Sequence, residues 1–105
     1  MKLNTWQVSL FAKFVEKLAN TPDGDGSLLD HSVIFWGSGM SESDLHYRLD
    51  LPTLLMGRGN GLYKGNRHQV ADKETPIGNF LVDIAQKFGA DVDKMGLSKG
   101  RLDVV

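Results

Sequence analysis

The sequence predicts an α/β fold: a partial three-layer αβα sandwich in which a short, mainly parallel sheet is flanked by two helices. Three observations carry that expectation. Apolar residues recur at helical spacing near both ends of the chain, two near-continuous apolar runs lie between them, and residues 37–50 separate the runs by enough chain for a parallel crossover. The order helix, strand, strand, helix favours layered elements over a bundle. The 105 residues are expected to form one domain.

The first helix is marked by Leu3, Trp6, Leu10, Phe11, Phe14, Val15 and Leu18, which fall at three- and four-residue intervals. Asn4 is placed to cap its free amides, with Gln7 bonding back, and Asn20 followed by Pro22 closes it. Thr21 to Ser27 reads as a turn, because Pro22, Gly24 and Gly26 punctuate it and it holds no apolar residue. Ser32-Val33-Ile34-Phe35-Trp36 then has the look of a strand buried on both faces, ended by Gly37-Ser38-Gly39. Leu51 to Met56 is the second such run, with Pro52 at its start, where a strand tolerates it. Gly57, Gly59, Gly61 and Gly65 make a turn-rich stretch with room for a hairpin around Leu62-Tyr63-Lys64. The second helix opens with Thr75 as cap and Pro76 at the first helical position, stops at Gly89, and carries Ile77, Phe80, Leu81, Ile84, Ala85 and Phe88 on one face. Met95 to Leu102 shows little periodicity and is expected to lie over the surface as a loop.

Composition excludes several functions. With 41% apolar and 24% charged residues the chain is expected to fold, and a net charge of -1 disfavours general nucleic-acid binding, which depends on clustered cations. The absence of cysteine removes disulfides, thiolate metal sites and thiol nucleophiles. No apolar run approaches the roughly 18 residues that cross a bilayer, and the opening Met1 to Trp6 lacks the features of a signal peptide. The expected partners therefore include neither nucleic acid nor membrane.

Four groups of residues could carry chemistry. His31, His46 and His68, with Asp30 and Asp44 beside two of them, are the material for a divalent metal, with His46 and His68 the candidate ligands; no compact ligand motif fixes their geometry, and loop histidines bonded to backbone carbonyls are the alternative. Asp23-Gly24-Asp25-Gly26-Ser27 has the alternate oxygens of a calcium loop but not its spacing, since glycine falls fourth and Ile34 stands where the bidentate glutamate belongs. Gly57-Arg58-Gly59-Asn60-Gly61 resembles an anion-cradling loop without the Lys-Ser/Thr of a nucleotide P-loop. Residues 51–71 carry Arg58, Lys64 and Arg67 and no acid, whereas residues 22–50 set Asp23, Asp25, Asp30, Glu42, Asp44 and Asp50 against Arg48. That segregation makes Arg58, Lys64, Arg67 and His68 candidate contacts for a small anionic ligand, with a solvated face as the alternative. Ser38, at a strand exit between two glycines, has a nucleophile's placement without the following helix of the nucleophile elbow, and is a candidate ligand contact.

Several stretches together resemble the C-terminal part of a bacterial family named for a His-x-x-Ser-His-His motif, which belongs with the alkaline phosphatase and sulfatase-like folds. They are Asp23 to Ser32, the strand exit Gly37 to Ser41 with His46 after it, Leu51-Pro52, Lys64-Gly65-Asn66-Arg67-His68, and Thr75 to Leu81. The resemblance implies a slice of an αβα fold and full-length relatives that are exported. The naming motif is absent from this sequence and in the family lies upstream. Where alkaline phosphatase-like enzymes deliver an Asp-His pair to their metals, Ser38 and Gly39 stand here, and neither replaces a carboxylate and an imidazole. Met95-Gly96-Leu97-Ser98 stands where relatives tend to have Phe-Gly-Asp-Ser. The expectation is a hydrolase-like part without catalysis of its own, or else a small anion-binding module built on Gly57 to His68. A homo-oligomer is expected on either reading, because a short parallel sheet with two helices would leave edges and apolar surface uncovered.

Overall fold

The computed structural model describes residues 2–104. The chain divides into two compact units, residues 1–65 and residues 66–105.

The first unit starts with helix α1, Lys2–Ala19. It already covers Asn4, so that residue lies within the first turn instead of capping it. Its inner face is Phe11, Val15 and Leu18, with Val15 buried and the other two half-buried. The Phe11 ring stacks on Trp36 with centroids 5.7 Å apart, which is how the helix grips the strands. The stretch after α1 is a tight hairpin: β1 (Pro22–Asp23) pairs antiparallel with β2 (Gly26–Ser27), and Gly24 supplies the positive φ of 60° that the turn requires.

The expected αβα sandwich with a mainly parallel sheet does not form. Strands β3 (Ile34–Gly37) and β4 (Thr53–Met56) pair antiparallel, with Ile34 opposite Met56 and Gly37 opposite Thr53, so each of the two sheets has two antiparallel strands. The reason lies in residues 38–52. A parallel return needs a crossover, usually a helix, and this segment is polar and turn-forming. Ser38 folds back on Met40 through its hydroxyl, and a Glu42–Tyr47 bridge reverses the chain. The apolar runs also proved a weak guide to two-sided burial. Along β3 the residues alternate between half-buried and exposed, with Ile34 and Trp36 turned in and Phe35 turned out, as an antiparallel ribbon with one open face allows.

After β4 the chain makes turns instead of the expected hairpin around Leu62-Tyr63-Lys64. Residues 57–60 lie against residues 29–32: the amides of Arg58, Gly59 and Asn60 donate to the carbonyls of Leu29, Ser32 and Asp30 at 3.3, 3.0 and 3.0 Å. Tyr63 is buried at the end of this loop.

The second unit is built on helix α2, Ile77–Lys87. Pro76 takes the cap position with extended backbone, and the Thr75 hydroxyl donates to the Asp72 carbonyl, so Thr75 is not the expected cap. Gly89 ends the helix as expected. The amides of Gly89 and Ala90 donate to the carbonyls of Gln86 and Ala85, both at 2.9 Å, and Gly89 adopts φ 87°, which is the Schellman arrangement that glycine favours. The buried side of α2 is Gly78, Phe80, Val82 and Asp83; Ile77 and Phe88, expected on the apolar face, are exposed. Residues 95–102 carry no regular structure but are fastened to α2. The amide of Leu102 donates to the Asn79 carbonyl, that of Lys99 to Asn79 Oδ1, and the Arg101 Nε to Asp83 Oδ1 at 2.6 Å.

Candidate functional site

Aspartates and a histidine converge where the β1–β2 hairpin meets the turn after β2. Asp30 closes that turn on Ser27. The Ser27 amide and hydroxyl both donate to Asp30 Oδ2, at 3.0 and 2.8 Å, and the Asp30 amide donates back to Ser27 Oγ at 3.2 Å. These donors favour the charged form and hold the Asp30 carboxyl below its ordinary value of 3.8, with the Arg58 and His31 charges adding to the effect. His31, next in the chain, is gripped from both sides: its Nδ1 lies 2.8 Å from Asp23 Oδ2 and its Nε2 lies 3.1 Å from Asp25 Oδ1. The bond to Asp23, followed by the charges of Asp23 and Asp25, raises the His31 pKa above its ordinary 6.5 against an opposing effect of desolvation.

The 57–60 loop brings the opposite charge to this place. An open groove of about 530 Å³ is lined by Asp25, Gly26, Asp30, His31, Arg58, Asn60 and Gly61. Asp30 is hydrogen-bonded to Ser27 and keeps its charge, and Asp25 pairs with His31. Among the described residues Arg58 is in no ion pair; it lines the groove, where its charge acts on the Asp30 carboxylate. Gly57 makes the loop's approach feasible. Its φ is 96°, and a Cβ there would come within 2.2 Å of the Ser32 carbonyl oxygen.

The residues singled out in the sequence are placed as follows. Arg58 lines the groove, whereas Lys64 is exposed further along the same unit. Arg67 and His68 open the second unit, in an exposed stretch without regular structure. Ser38 is exposed at the exit of β3, where its hydroxyl donates to the Met40 carbonyl at 2.7 Å. His46 sits in the exposed 38–52 segment with a φ of 52° and its Nδ1 3.3 Å from the Asp44 carbonyl oxygen. Among the described residues no group of three or more His, Asp or Glu side chains is arranged to hold a metal ion. No described helix is long and apolar enough to cross a membrane.

Sequence reasoning passed over Asp23, Asp25, Asp30 and His31 as a unit. The signal was present: two aspartates flank a glycine in a tight turn and an Asp-His pair follows, but their convergence depends on the hairpin that brings position 31 back on 23 and 25. It also gave the glycine-rich loop the wrong donors. The amides of Arg58, Gly59, Asn60, Gly61, Leu62 and Tyr63 all donate to backbone carbonyls, so any anion held here is held by side chains. The chain matches none of the protein-family models, curated proteins or solved structures with which it was compared.

Proposed function

We propose that the chain acts by binding and not by a catalytic reaction of its own, as part of a larger protein of the kind the His-x-x-Ser-His-His resemblance implies, and that its groove takes a small anion. The observation that carries this reading is Arg58. It faces the groove beside Asn60, while the neighbouring carboxylates are engaged by Ser27 and His31. A guanidinium presents several donors in one plane and suits a carboxylate, sulfate or phosphate oxygen. Asn60, held by its backbone bond to Asp30 at a φ of 58°, adds a side-chain amide as a second donor. The Ser38 hydroxyl is committed to its own turn, which fits a part without a nucleophile in service.

Titration with sulfate, followed by backbone amide shifts, tests the reading. The largest shifts are expected at residues 57–61 and are expected to vanish in Arg58→Ala; shifts centred on Lys64 to His68 would overturn it. Assays with aryl phosphates and sulfates, with zinc, magnesium or calcium added, are expected to show no turnover. Turnover lost in Ser38→Ala would refute the non-catalytic reading. Self-association belongs to the same proposal, supported by the exposed apolar stripe Leu3, Trp6, Leu10 and Phe14 on α1.

A further inference from the structure

The contacts of His31 impose a protonation state. A neutral imidazole carries one N–H and can donate to one acceptor only, its second nitrogen being a lone pair. Here each ring nitrogen faces a carboxylate oxygen, at 2.8 Å on Asp23 and 3.1 Å on Asp25. Both contacts are attractive only when both nitrogens carry protons, that is, when the ring is an imidazolium. Removing one proton turns one of the two contacts into lone pair against carboxylate.

The two aspartates are not equal. Asp23 belongs to β1 and makes the shorter bond, whereas Asp25 stands on the two-residue turn with a side chain 96% exposed, and is the one free to swing away. The charged groups that face His31 are those two, Asp30 from the turn after β2, and Arg58 across the groove. Asp30 is bound to the Ser27 amide and hydroxyl and not to the ring. Asp25 lines the same groove as Arg58. Once released by His31, its carboxylate competes for that guanidinium and repels any anion approaching it.

We propose that His31 is a proton-operated latch on the groove: as an imidazolium it ties down Asp23 and Asp25 and leaves Arg58 to an anion, and as a neutral ring it frees Asp25 to close that site. The inference rests on the anion reading of the groove and adds its regulation.

Sulfate is the probe for the test, because it stays fully ionised across the range in which the ring titrates. Its affinity for the full chain is measured between pH 5.5 and 8.5 while the His31 ring and the amides of residues 23–26 are followed by NMR. The expected result is affinity that falls several-fold as pH rises, with the midpoint of the fall and of the 23–26 amide shifts both at the His31 pKa. In Asp25→Asn, an exchange on an exposed turn, the fall in sulfate affinity is expected to shrink to the part that the loss of the His31 charge alone produces. Wild-type binding that ignores pH, a pH dependence as large in Asp25→Asn as in the wild type, or 23–26 amides that do not follow His31 would each overturn the latch alone. Absence of sulfate binding at every pH would overturn the anion reading and the regulation together.

Discussion

At the scale of the residue, Gly57 shows why a glycine-rich run was legible as important and illegible in purpose. Glycine serves an anion cradle by freeing amides, and it serves a tight backbone crossing by having no Cβ. The sequence Gly57-Arg58-Gly59-Asn60-Gly61 is the same in both cases. Only the placement of Ser32 and Leu29, whose carbonyl oxygens would lie 2.2 and 2.9 Å from a Cβ on residue 57, decides for the second. Both obstacles are backbone atoms, and φ is 96°, so Gly57→Ala is expected to destabilise the chain by about 1–3 kcal/mol in urea unfolding and to weaken anion binding by displacing Arg58. An unchanged unfolding midpoint would count against the crossing. The same scale gives a pH dependence. The Asp30 pKa is depressed, so its stabilising contribution is present above 3.8 and disappears as pH falls through the lower folded value. The His31 pKa is raised, so its contribution is complete below 6.5 and disappears as pH rises through the higher folded value. Amides of residues 22–31 are therefore expected to show their greatest hydrogen-exchange protection, corrected for intrinsic rates, between those limits. Protection that increases steadily into alkaline pH would refute the assignment of His31.

At the scale of the element, local signals were reliable and long-range ones were not. The end of α2 was readable because a Schellman turn is made by neighbours in sequence, with Gly89 as its one demanding position. The fastening of residues 95–102 was invisible because it depends on single polar contacts between distant positions, which have no period. Asp83 is fully buried on the inner side of α2 and takes Arg101 Nε at 2.6 Å, Lys87 Nζ at 3.4 Å and the Val104 amide at 3.4 Å. A helix reading based on apolar spacing has no place for such a residue on the buried face. Gly78 completes the seam, since a Cβ there would meet the Met95 carbonyl oxygen at 2.4 Å. Asp83→Asn keeps the shape and removes the charge that holds Arg101, so it is expected to loosen residues 95–104 and speed tryptic cleavage after Lys94 and Lys99 while α2 remains helical. Cleavage at the wild-type rate would show that the ion pair does not hold this segment. The direction of β4 failed for a related reason. Apolar runs suggest that strands exist, but parallel or antiparallel pairing is decided by residues 38–52, where the Glu42–Tyr47 bridge turns the chain around.

At the scale of the whole molecule, the decisive feature is how much of α1 is left uncovered. Its inner face, Phe11, Val15 and Leu18, is used, yet Leu3, Trp6, Leu10 and Phe14 form a second stripe at intervals of three and four residues, with Leu3 63% and Trp6 58% exposed. Contiguous apolar surface of this kind marks an interaction site. On two copies, stripes of about 500 Å² each would bury roughly 1,000 Å², the lower end for a specific interface. A shallow depression at the start of the stripe is lined by Lys2, Thr5, Trp6 and Ser9. The stripe is bordered by Lys2, Lys13 and Lys17 against Glu16 alone, so two copies repel at their edges while their centres attract. Screening weakens the repulsion and leaves the apolar term. Self-association is therefore expected to be weak at low ionic strength and to strengthen as salt is raised, with Trp6→Glu monomeric throughout. Light scattering at micromolar to millimolar concentration checks this. A mass that stays at 11.6 kDa on concentrating in high salt would refute self-association through α1, and a dimer unaffected by Trp6→Glu would move the interface to another surface.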